Sequence, residues 1–154
     1  MKSQNWGAYK SKIEERVQLL KKDGYYLEIV FLLSVVLERE LKDLIFMFEE
    51  VSARELKSIN IRFCPQNNPL LAKKEQMTLG RLKNYLNIYC DDENIMSLIG
   101  SFNKIRIKSI HRLLDENIGD LEEEILNFQP KFYTLMERLV DIEIELINKE
   151  ARVK

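Results

Sequence analysis

The sequence predicts an all-α protein: an antiparallel bundle of about five helices forming one domain over residues 1–154. Three observations carry this. Apolar residues recur at steps of three and four along most of the chain. Only 5 Gly and 3 Pro are present to break helices. Leu, Ile, Glu and Lys, all compatible with long helices, are abundant. With 154 residues, 45% of them hydrophobic, the chain can bury a substantial core and needs only one domain.

Trp6, Tyr9, Ile13, Val17 and Leu20 mark one face of a first helix over residues 4–22, and Gly24 supplies the stop. From Tyr25 to Val51 no Gly or Pro intervenes, which predicts a long central helix with a stripe of Leu37, Leu41, Leu44, Ile45 and Phe48. Residues 53–77 hold Pro65, Pro69 and the polar run Gln66-Asn67-Asn68 and read as loop, with at most a short helix near 53–59. Thr78 is placed to cap a short helix carrying Leu79, Leu82, Tyr85, Leu86 and Ile88. Asp91 and Asp92 precede a fourth helix over about residues 93–114, and Gly119 marks the next turn. A last helix carries Leu121, Ile125, Phe128, Phe132, Leu135, Leu139, Ile142 and Leu146 in alternating steps of four and three. That seam keeps its phase across Pro130, so both halves bury the same side despite the lost backbone hydrogen bond to Leu126. It reads as a bundle-facing stripe in preference to a coiled-coil seam between chains.

Charge and cysteines narrow the function. Lys and Arg total 24 against 25 Asp and Glu, a formal net charge of -1, so any nucleic-acid site has to be local. No apolar run approaches the roughly 18–20 residues that span a bilayer, and Met1–Lys12 lacks the apolar stretch of a signal peptide, so no membrane partner and a cytoplasmic location are expected. Cys64 and Cys90 lack partners at ligand spacing and read as reduced thiols; neither a metal nor another cofactor is expected.

The chemically informative segment is Ser101-Phe102-Asn103-Lys104-Ile105-Arg106-Ile107-Lys108-Ser109-Ile110-His111-Arg112. On a regular helix Lys104, Lys108, His111 and Arg112 fall within roughly 100° of one another, a basic face that suits RNA phosphate. Leu98, Phe102, Ile105, Ser109 and Leu113 make the inward stripe. Arg106 lies off the basic face, toward Ile99 and Leu113, so its guanidinium requires a carboxylate. Glu38 and Glu40 of the central helix are the candidates, Glu38 the favoured one. Removing Arg106 from a buried pair would cost about 3–5 kcal/mol.

Asn103-Lys104-Ile105-Arg106 followed four residues later by His111 resembles the Arg-x(4–6)-His motif of the HEPN superfamily of small helical bundles. By helix order the resemblance extends over residues 25–146. It implies a homodimer acting as a metal-independent endoribonuclease of toxin or defence type, with Arg106 and His111 catalytic and Lys104, Lys108 and Arg112 holding RNA. It equally accommodates a non-catalytic HEPN-like module that binds RNA or a protein, such as an antitoxin partner. Ile107 departs from the family, where a polar residue usually follows the arginine, and this weighs against cleavage. The third reading is an unrelated helical adaptor whose last helix is its working surface. Residues five apart on a helix diverge by about 140°, so Arg106 and His111 of one chain do not aim at one phosphate unless the helix is distorted or a second subunit completes the site.

Overall fold

The computed structural model describes residues 6–58, 77–111 and 117–152. Among them are five helices and no strand: α1 (Trp6–Lys22), α2 (Tyr26–Ser58), α3 (Leu79–Leu86), α4 (Glu93–His111) and α5 (Ile118–Arg152). Residues 59–76, with Cys64 and both loop prolines, lie outside the described residues, as do 112–116.

The α1–α2 corner follows directly from Gly24. Its φ of 76° is the left-handed conformation that ends a helix at little cost only for glycine. There the Gly24 N–H donates to the Lys21 carbonyl at 3.2 Å and the Tyr25 N–H to that of Leu20 at 2.8 Å, satisfying two carbonyls at the helix end. Beyond the corner α2 runs on through Ser58, so residues 53–58 extend the central helix instead of starting a separate one. Ala53, Arg54, Glu55 and Leu56 are good helix formers, and nothing there breaks the helix.

Thr78 stands at the N-cap position of α3, but its side chain makes no capping hydrogen bond. Ile88 lies beyond this helix, in a turn, and is exposed, unlike the apolar position expected of it. Asp92 does cap α4: its Oδ1 accepts the Ile95 N–H at 3.1 Å. At the start of α5 the expected turn at Gly119 is instead the first turn of the helix. Asn117 precedes it and accepts the Gly119 N–H at 3.0 Å, so helix formation begins before the glycine.

The core runs through all five helices, including Val17, Leu37, Leu41, Leu82, Ile99, Phe102, Phe132 and Leu139. Phe102 joins α4 to α5, with ring centroids 5.6 Å from Phe128 and 5.3 Å from Phe132. Leu121, Ile125, Phe128, Phe132, Leu135, Leu139 and Leu146 are buried, so the heptad seam of α5 is used within this bundle. Pro130 sits inside the continuous helix. Inward-facing Ser34 and Ser109 return their hydroxyls to the carbonyls of Val30 and Ile105, at 2.7 and 2.9 Å.

Asp92–Arg138 at one end and Lys108–Glu124 at the other fix α4 antiparallel to α5. Phe48 stacks on Tyr89 while Glu38 meets Arg106, which likewise sets α2 antiparallel to α4. Short α3 covers only part of that pair. Gly80 lies against Asn103, whose Nδ2 would stand 3.4 Å from an added methyl, and Gly100 lies against Lys83. Among the described residues, no helix covers the pair beyond the start of α3, at the end holding the first half of α2 and the last turns of α4. No helix among the described residues is long and apolar enough to cross a membrane.

Candidate functional site

Arg106 and Glu38 meet across α4 and α2, with Nη2 and Oε1 3.5 Å apart. The pair expected from the sequence is present, but at the rim of the core: the side chains are 21% and 24% exposed. Water can therefore reach a carboxylate left without its arginine. This lowers the cost of Arg106→Ala from the several kcal/mol of a buried pair to about 1 kcal/mol.

The basic face of α4 meets an acidic helix. Lys108 Nζ bonds Glu124 Oε2 at 2.8 Å, both about two-fifths exposed or less. Lys104 is exposed and lines a cleft of about 500 Å³ between α4 and α5, alongside Asp120, Glu123, Glu124 and Lys131. A phosphate entering here would meet the carboxylates with the lysines. Asn103 is half-buried against Gly80 and supports α3–α4 packing. His111 is the last residue of α4, with its side chain outside the described set, and Arg112 lies outside the described residues altogether.

Exposed apolar side chains share the two helices of the Arg106–Glu38 pair. Leu27, Phe31 and Val35 precede Glu38 on the same side of α2, and are 38%, 66% and 52% exposed. Ile107 and Ile110 follow Arg106 on α4 and are also exposed. Because α2 and α4 are antiparallel, all five lie at the end of the helix pair that α3 does not cover. Ile107, which departs from the family motif, belongs to this apolar set.

Glu40, the second candidate for Arg106, faces elsewhere. It is buried and accepts a hydrogen bond from the Tyr9 hydroxyl at 2.8 Å. Glu143 of α5, also buried, interacts with it directly. Burial, followed by the negative charge and close approach of Glu40, pushes the Glu143 carboxyl up to about 7. Burial also raises Glu40, opposed by the Tyr9 hydrogen bond, and raises the Tyr9 phenol. This cluster is absent from the sequence reading, although a signal existed: Glu143 stands four residues after Leu139 and three before Leu146, a core position occupied by an acid.

A second groove, of about 630 Å³, runs past Phe48, Tyr89, Cys90, Asp92, Arg138 and Glu145. Arg138 Nη2 there bonds Asp92 Oδ2 at 2.7 Å. The α4 cap holds the Asp92 carboxyl below its usual range, with Arg138 adding to the effect. Burial raises the half-buried Cys90 thiol, which leaves it less nucleophilic than an ordinary thiol. Among the described residues, no group of three or more His, Cys, Asp or Glu side chains is placed to hold a metal ion. Comparisons with family models, with curated proteins and with solved structures find no match to this chain.

Proposed function

We propose that this chain is a non-catalytic HEPN-like module that works by protein contact, pairing with a second copy of itself through the α2–α4 face. The observation that carries this reading is the position of exposed Leu27, Phe31, Val35, Ile107 and Ile110 at the same end of the two helices joined by one partly exposed ion pair. Exposed apolar groups clustered on one face gain from a partner's surface, whereas isolated ones need no explanation. The face also carries its own complement: each copy offers one acid, Glu38, and one base, Arg106, so a two-fold arrangement sets each against its opposite.

The cations argue against RNA as the main ligand. Arg106 is engaged by Glu38, Lys108 by Glu124, and Lys104 faces the acids of α5. The metal-independent ribonuclease keeps one favourable feature: Arg106 and the His111 backbone lie at the same end, where a two-fold partner would bring two such pairs together.

Sedimentation equilibrium tests the proposal. Wild type is expected to dimerise and Phe31→Glu to sediment as a monomer with an unchanged helical circular dichroism spectrum. A wild type that remains monomeric at hundreds of micromolar rejects self-pairing. In parallel, RNA incubated with the protein in EDTA should survive intact. Cleavage that disappears in His111→Ala would replace the binding reading with the enzymatic one.

A further inference from the structure

We infer that Glu40 and Glu143 share one proton in the folded protein, forming a pH-sensitive latch that holds α1 in the bundle until the proton is lost. This rests on the buried contact among α1, α2 and α5 and is independent of what the α2–α4 face binds.

Two interacting carboxyls buried this deeply favour one proton between them. Glu40 and Glu143 are 3% and 4% exposed, and their carboxyls act directly on each other. Ionised carboxylates only accept hydrogen bonds, so a favourable contact between the two needs one of them as an acid that donates. Glu40 already accepts the Tyr9 hydroxyl, which favours its charged form, leaving Glu143 as the donor. Glu143 Oε1, buried without a hydrogen-bond partner, suits the carbonyl oxygen of a neutral acid better than half of a carboxylate.

The charges facing the pair do not offset a second anion. Tyr9 comes from α1, Arg39 and Asp43 from α2, and Glu143 itself from α5. Arg39, more than half exposed, stands 4.0 Å from Asp43, so the nearest cation already faces another acid at the rim. When Glu143 releases its proton to water, two carboxylates confront each other in a site that excludes solvent.

The strain is most readily relieved at α1. Tyr9 forms one wall of the site, and α1 is otherwise held by Trp6, Val17 and Leu20 in the core and by Lys10–Glu137 at the surface. The helix carries its own reporter. Trp6, the only tryptophan, is 2% exposed, and its ring centroid lies 5.3 Å from that of Tyr9.

Acrylamide quenching of Trp6 and hydrogen exchange of the α1 amides, referenced to α4, test the latch between pH 5.5 and 8.5. Opening of α1 relative to α4 should grow by up to tenfold per pH unit, the limit for one proton, as pH rises to about 7, and level off above it. Glu143→Gln, which keeps a donor and cannot ionise, should flatten this dependence. A constant ratio of α1 to α4 exchange, or the same pH dependence in Glu143→Gln, overturns the inference. Should Glu143→Gln fail to fold, carbon-13 titration of glutamate carboxyls in the wild-type protein decides. One carboxyl titrating near neutrality supports the latch, and all titrating below pH 5 refutes it.

Discussion

Glu38 and Glu40 stand two residues apart on α2, about 200° around the helix, and meet opposite fates. Glu38 reaches Arg106 at the partly exposed edge of α4, where a cation neutralises it and water remains close. Glu40 points into the bundle and meets a phenol and a second acid. The first contact costs little to form or lose and leaves the exposed apolar side chains of its two helices available to a partner. The second is sealed, so its energetics are governed by protonation. Carboxylates two positions apart are thus separated by function according to which helix each faces.

The largest effect expected of this contrast is on pH. A carboxyl raised to about 7 from the usual 4.5 keeps its proton in the folded state after the unfolded chain has lost it. Its contribution is therefore fully present below about pH 4.5 and is lost as pH rises to about 7, a change of roughly 3 kcal/mol from Glu143 alone. Urea melts across this range should show the midpoint falling. Asp92, held low by its cap and by Arg138, works in the opposite sense: its stabilisation is present above its ordinary value of 3.8 and lost as pH falls lower. A bell-shaped stability curve with its top in the mildly acidic range is the expected outcome.

Tyr9→Phe comes next. It removes the donor to a buried carboxylate and should destabilise the protein by about 2 kcal/mol at pH 6, read from the denaturation midpoint at constant slope. Arg106→Ala should cost only about 1 kcal/mol, because Glu38 is left accessible to water. A loss of several kcal/mol for Arg106→Ala together with a negligible one for Tyr9→Phe would invert the comparison. The smallest effect is expected for Lys104→Glu, which adds a charge to a cleft already lined by acids and should leave the melting temperature within a few degrees.

Periodicity made most of the architecture legible. The phase of Leu121 to Leu146 predicted which side of α5 is buried, across a proline that local propensity alone would have read as a break. Gly24 announced the first corner because a positive φ is a property of one residue type. Helix ends were harder. The extension of α2 to Ser58 and the start of α5 before Gly119 depended on the absence of a strong breaker and on the Asn117 cap. At the site, directional arithmetic found Glu38 for Arg106, since both flank apolar stripes. It set Arg106 too deep, because one helix does not reveal how closely the next covers its edge. The basic face was visible on α4, but the acids of α5 that meet it are remote in sequence. The Glu40–Glu143 contact was hidden for the same reason: it joins positions far apart in the chain through the packing of three helices.

The proposed use of the α2–α4 face is tested most directly by hydrogen exchange of the full chain at low and high protein concentration. Pairing through this face predicts that added protection at high concentration falls on the α2 segment around Phe31 and Val35 and on the α4 segment around Ile107 and Ile110. Protection that is independent of concentration, or that appears instead on the outer surface of α5, would contradict it.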